Sequence, residues 1–374
     1  MRRATRAALA VTMCFTLAGA GLALGSPGAG ATPTPIYNQP GGGGAIETVV
    51  IKFGPFSLDP QGQGHDQDES EGLVPRPDGV YGIKSAEFDL VDEQGNPVGK
   101  HDVHLHHFVI ASINTVDTAC PDRKAYLDVP AEPLIGSGME RTPLNFPDPY
   151  ALKVSWGEQW GARWHLMNMT NTPKTFYVQY TLGIQRGATD ENTRWVTPFW
   201  ADSHSCPAGT TWNVKGDGGP DGVETLSKTW DMPFDGYVVG IGGHVHDGGL
   251  SITTQHEDGS LICENDAMYA GGMLDKITRC PTHDTITKGE KLKVTSRYDN
   301  SVPHADVMGM SVMYLWAGDQ GIPPTTTTTS TSTTTSTSTP GAADPAADLT
   351  GANPSVLGTS GVAPAVSANP AFAG

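Results

Sequence analysis

Cysteine is scarce in this chain, with five in 374 residues. None of the spacings is C-x-x-C, which argues against a paired-thiolate metal site. Basic residues are few as well, 23 Lys and Arg against 40 Asp and Glu. A chain this acidic does not attract nucleic acid through its net field. No stretch of about 12 residues carries the 3.6-residue period of an amphipathic helix. Beyond residues 7–24 no apolar run is long enough to span a membrane.

The two ends read as accessory segments. Arg2, Arg3 and Arg6 precede the apolar run, and Ala29-Gly30-Ala31 supplies a small-residue cleavage site. Residues 1–31 are therefore expected to be a signal peptide, and the mature protein secreted, extracellular or cell-surface associated. The Arg2-Arg3 pair lacks the context of a twin-arginine signal, and Val-Thr-Met before Cys14 is a poor lipoprotein box. The first 31 residues hold three basic and no acidic side chains, which leaves a mature charge of −20. Residues 32–44 form a Gly/Pro linker. Residues 325–339 are Thr and Ser, and 340–374 are rich in Ala, Gly and Pro. Such a segment buries too little apolar surface to offset chain entropy, so 321–374 is expected to be a low-complexity tail or stalk open to O-glycosylation.

Between these ends, Gly, Pro, Asp and Asn punctuate short apolar runs. The runs are 47–53, 86–91, 104–113, 175–184, 237–240, 250–254, 292–298 and 309–316. They favour Val, Ile, Tyr, Phe and Thr, which suit a pleated surface. An all-β sandwich architecture follows, and the length suits two sandwiches. The turn cluster Asp-Gly-Gly-Pro-Asp-Gly at 217–222 places the boundary near residue 210. The expected domains are 45–209 and 210–320. With Cys14 in the signal, Cys120, Cys206, Cys263 and Cys280 remain, enough for two disulfides in an oxidising compartment. Of three connectivities, a local Cys263–Cys280 loop and a long Cys120–Cys206 tie are favoured.

Histidine is clustered. His101, His104, His106 and His107 fall within seven positions and lead into an apolar run. His104 and His106 share one face of a strand, and His107 faces away unless the strand bulges. His244-Val245-His246 lies between glycine pairs. On a strand its two rings share a face and can chelate a metal, and the glycines permit a close approach. Asp306-Val307-Met308 leads into a third run ending at Trp316. A methionine is usually core filler, but a thioether ligand favours copper over zinc. His165 stands alone between Trp164 and Leu166. His65, His204, His256, His283 and His304 sit in polar contexts and are expected at the surface.

These elements in this order resemble the copper type II, ascorbate-dependent monooxygenases, the family of peptidylglycine α-hydroxylating monooxygenase and dopamine β-hydroxylase. The matching residues are Leu105-His106-His107, His165 with Asn168, Gly243-His244-Val245-His246, Tyr298-Asp299-Asn300 and Asp306-Val307-Met308. Separations of 58, 79 and 62 residues between successive elements follow a similar rhythm. The resemblance spans roughly 45–318. It implies two jelly-roll-like sandwiches with one copper each, facing a solvent cleft. His106, His107 and His165 would hold an electron-supplying copper. His244, His246 and Met308 would hold the copper at which O2 and a small-molecule C–H substrate react, with ascorbate as reductant. Strand parity prefers His104 beside His106, whereas the resemblance prefers His107. Gly242, Met310 and Val312 replace the residues with which peptide-amidating members hold a carboxylate, and Gly309 replaces a cysteine.

Three readings result. The first is a secreted dicopper monooxygenase-like enzyme, and the second a non-catalytic exported copper-binding protein on the same scaffold. The third is a surface interaction module with structural histidines. A superoxide-dismutase reading of the His-x-His segment ranks below these, because the further histidines it needs do not follow.

Overall fold

Alternation builds the strands. In 174–185 the side chains of Phe176, Val178, Tyr180 and Leu182 are buried, while the residues between them are partly exposed. This period of two puts one face on a core and the other toward solvent. The same alternation recurs in 291–299, where Leu292, Val294, Ser296 and Tyr298 point inward.

The computed structural model describes residues 45–318, save 123, 207–210 and 281. The expected signal peptide, Gly/Pro linker and low-complexity tail lie outside the described residues. In chain order the first strands are β1 (Glu47–Leu58), β2 (Gln67–Val74), β3 (Tyr81–Val91), β4 (Val103–Ile113), β5 (Lys124–Tyr126), β6 (Val129–Gly138) and β7 (Leu144–Asn145). There follow β8 (Tyr150–Val154), β9 (Trp160–Asn168), β10 (Lys174–Gln185), β11 (Arg194–Asp202) and β12 (Trp212–Val214). After a 3-10 turn at Pro220–Gly222 come β13 (Val223–Asp231), β14 (Gly236–Val245), β15 (Gly249–Gln255), β16 (Leu261–Ala270) and β17 (Met273–Ile277). The last are β18 (Arg279–Cys280), β19 (Asp284–Ile286), β20 (Lys291–Asp299), β21 (His304–Val307) and β22 (Gly309–Trp316).

The fold is all-β, as the apolar runs imply. Each of those eight runs lies inside a strand. A ten-stranded sheet runs β1-β10-β3-β8-β11-β22-β14-β18, with β7 on β3 and β19 on β14. Two five-stranded sheets accompany it, β2-β9-β4-β6-β5 and β13-β20-β15-β16-β17. Two apolar cores result. The first gathers Phe88, Phe108, Trp164, Phe176 and Tyr180 with Tyr314 and Trp316. The second gathers Phe199, Trp230, Ile241, Ile252, Val294 and Tyr298. Both cores take side chains from the long sheet, the first chiefly through β1, β3 and β10, and β11, β14 and β22 contribute to both. The disulfides join Cys120 to Cys206 and Cys263 to Cys280, the favoured pairing. No described helix is long and apolar enough to cross a membrane.

Candidate metal centre

The centre begins with an irregularity in β4. Its pairing with β9 matches Leu105 to Leu166 and then His107 to His165, so His106 is the extra residue of a one-residue bulge. A bulge leaves one residue unpaired and redirects its side chain. Here it sets His106 and His107 side by side, with their Nδ1 atoms 3.2 Å apart. His165 lies across the ladder. Its ring centroid is 4.6 Å from that of His106 and 5.7 Å from that of His107. One ligand nitrogen from each of the three rings falls within 4.8 Å of the others. His104 is set apart, beside Lys100, Arg141, Met273 and Leu274.

His246, just past the end of β14, packs against this trio from the other half of the chain. Its ring centroid is 4.4 Å from that of His106. Its backbone N–H donates to the Tyr298 hydroxyl at 2.8 Å, and that hydroxyl donates in turn to the Met308 carbonyl. His246 Nδ1 donates to the Asp306 carbonyl at 2.7 Å. A carbonyl can only accept, so the proton is on Nδ1 and the lone pair on Nε2. That Nε2 is buried and has no hydrogen-bond partner in the chain. On the opposite side His165 Nε2 donates to Gln67 Oε1 at 3.1 Å, which leaves its Nδ1 lone pair free.

Electrostatics keep these rings neutral. Burial, reinforced by the neighbouring imidazoles, pushes His106 far below the ordinary histidine range. The same causes hold His107 and His246 at about 3. Burial also lowers His165, although Glu69 and Asp68 pull the other way. Neutral imidazoles with ring nitrogens set this close suit a metal ion. Four nitrogens at 2.0–2.1 Å around a tetrahedral ion lie about 3.3 Å apart. The 3.2 Å between the His106 and His107 nitrogens is already close to that edge. The donor set therefore fits a late first-row ion.

His244 behaves differently. Burial would lower its pKa, but the Glu140 carboxylate, 3.2 Å from its Nδ1, overrides this and raises it. Both side chains are buried. Gly138 is needed for this approach. A Cβ there would lie 2.5 Å from Glu140 Oε2 and 2.7 Å from His244 Cε1. Gly248 has a comparable reason, with φ at +87° and the His304 ring 2.3 Å from where a Cβ would stand. Met308 lines a cavity together with His107 and His244.

All six expected ligand residues thus lie in one region. The rings of His106, His107, His165 and His246 meet in one cluster, rather than being divided into one trio per sandwich. His244 and Met308 stand beside it on the cavity. Gln67, Glu140 and Arg279 escaped the sequence reading, since none sits in a motif. His256 and His304 are half-buried rather than on the surface, and His256 Nδ1 donates to Glu290 Oε1 at 2.6 Å.

Among solved structures the chain resembles the major capsid protein P2 of bacteriophage PM2. That likeness has 8% identity and a TM-score of 0.32, over 74% of this chain and 100% of that one. The STIV MCP follows, with 9% identity, 72% and 97% coverage and a TM-score of 0.30. An allantoicase has 10% identity, 76% and 80% coverage and a TM-score of 0.19. No curated protein matches the chain. The match to a known family overturns the expected relationship to copper monooxygenases, and with it the dicopper monooxygenase function and the oxidoreductase assignment. What the chain is similar to, over residues 204–319, is the SURNod19 family, described as Stress up-regulated Nod 19.

Proposed function

We propose that this is an exported protein that binds a single late first-row transition-metal ion, with His106, His107, His165 and His246 as its ligands. The observation that carries the reading is the convergence of ring nitrogens from neutral imidazoles. Two lie 3.2 Å apart, and a buried Nε2 from a different strand has no other partner. Imidazole suits copper, zinc and nickel, and copper(II) binds most tightly in that series. Copper is therefore the expected occupant. Gln67 and the Asp306 carbonyl orient two of the rings from behind, as outer partners of metal-bound histidines do. Two disulfides support an oxidising compartment.

The test is metal stoichiometry on the full chain. Protein stripped with chelator is titrated with copper(II) and zinc(II), and bound metal is counted after gel filtration. One ion per chain is expected, with copper displacing zinc. Replacing His106 or His246 by Ala should weaken binding by about 100-fold or more. A chain that retains no stoichiometric metal, or a His106→Ala/His107→Ala/His165→Ala variant that binds as tightly as the parent, would refute the reading.

A further inference from the structure

A cavity of about 320 Å3 opens beside the histidine cluster, between the β4-β6 pair and the β11-β22-β14 part of the long sheet. Small-molecule sites begin at about this size, and they combine apolar walls with a few placed polar groups. Its apolar wall includes Val109, Leu144, Met308, Met310, Val312 and Tyr314.

Three polar groups on the remaining wall keep bonding capacity that the fold does not use. Trp200 is 5% exposed, and its indole Nε1 has no hydrogen-bond partner in the chain. Glu140 is also 5% exposed; its Oε1 is engaged by His244 and Gly138, but its Oε2 has no partner. Buried polar atoms are rarely left unmatched, because each costs about 1–3 kcal/mol. The third group is the Arg279 guanidinium. It donates to the Pro143 carbonyl but forms no ion pair among the described residues. The other guanidinium on the wall, Arg163, already faces Glu69 at 3.6 Å. Gly242, opposite Arg279 in the β14-β18 ladder, has no side chain to crowd it.

A cation without a carboxylate, an unmatched N–H and an unmatched carboxylate oxygen specify complementary groups on one ligand. We propose that the cavity binds a small organic carboxylate with an apolar ring and one N–H or O–H donor. Arg279 pairs with its carboxylate, the Trp200 N–H donates to a ligand oxygen, and Glu140 Oε2 accepts from the ligand donor. None of these three residues is a proposed metal ligand, so this assignment stands apart from the metal reading.

The probes are indole-3-acetate and 4-hydroxyphenylacetate, against 3-methylindole and 4-methylphenol, which lack only the carboxylate-bearing part. Each is titrated calorimetrically into the full chain, in metal-free and metal-loaded form. At least one acid should bind about tenfold or more tightly than its neutral counterpart. Arg279→Gln should remove that difference while leaving the neutral compounds, the bound-metal count and the circular dichroism unchanged. Trp200→Phe, which keeps a ring but deletes the N–H, should weaken the acids without affecting metal. Equal affinity for acids and neutral compounds, no binding of either acid, or an Arg279→Gln variant that still prefers the acids would overturn the proposal.

Discussion

Glu140 and His244 are a buried pair, 3.2 Å apart, in which each side chain is the principal counter-charge of the other. Removing one partner of such a pair strands the other in a low-dielectric setting, which typically costs about 3–5 kcal/mol. Glu140→Ala should therefore lower stability by about 3 kcal/mol in urea unfolding. Glu140→Gln keeps an oxygen that can accept from His244 Nδ1, so it should cost only about 1 kcal/mol. Equal losses for the two variants would mean that cavity formation, and not the pairing, decides the effect. His256 is a second residue whose charge matters. Burial opposes its ionisation, but Glu290 and Asp284 on either side of the ring raise its pKa. A raised folded value means that its stabilisation is complete below the unfolded pKa of about 6.5 and fades as pH rises through the folded one. His256→Gln should accordingly cost more at about pH 5.5 than at about pH 8.5, by on the order of 0.5 kcal/mol. Chemical denaturation at the two pH values measures this, and a cost independent of pH would contradict it.

Among the elements, β4 shows how far a sequence reading reaches. Its apolar residues Phe108 and Ile110 announce a strand, and the histidines announce chemistry. The choice between His104 and His107 was not legible, because a bulge is a property of two strands. It follows from how β4 registers against β9, and nothing local to 103–113 encodes that partner. Strand β2 was missed for a different reason. Its sequence, Gln-Asp-Glu-Ser-Glu-Gly-Leu-Val, has little apolar alternation, and it lies at a sheet edge where only Val74 is buried. Yet this strand supplies Gln67 behind His165 and Glu69 opposite Arg163. Polar edge strands are avoided by hydrophobic pattern reading, although they are suited to carry outer partners of a site. His244 and His246 were easier, since an i, i+2 spacing next to Val238, Val239 and Ile241 keeps its meaning in any sheet. The contact of His246 with His106, across more than 130 residues of chain, required the packing of the two halves.

For the molecule as a whole, the two disulfides differ in the chain they enclose. Cys263–Cys280 spans 17 residues and Cys120–Cys206 spans 86. On a loop-entropy account, these closures are worth about 3 and about 4.6 kcal/mol. Replacing Cys120 and Cys206 by Ser should thus lower the urea midpoint more than replacing Cys263 and Cys280, and the reverse order would reject that account. The all-β class was legible because eight apolar runs each became a strand. The sharing of one sheet by both cores was not, since β11 pairs in parallel with β8 on one side and antiparallel with β22 on the other. This sharing has a practical consequence. A fragment beginning at residue 204, where the family match starts, contains β22 but not β11. The backbone donors and acceptors from Met310 to Leu315 that face β11 would then lie open along a six-residue, largely apolar margin. Such a margin is a template for addition of another chain. Expressed alone, the piece would be expected to self-associate through that seam, with soluble behaviour restored when 194–202 is supplied in the same polypeptide.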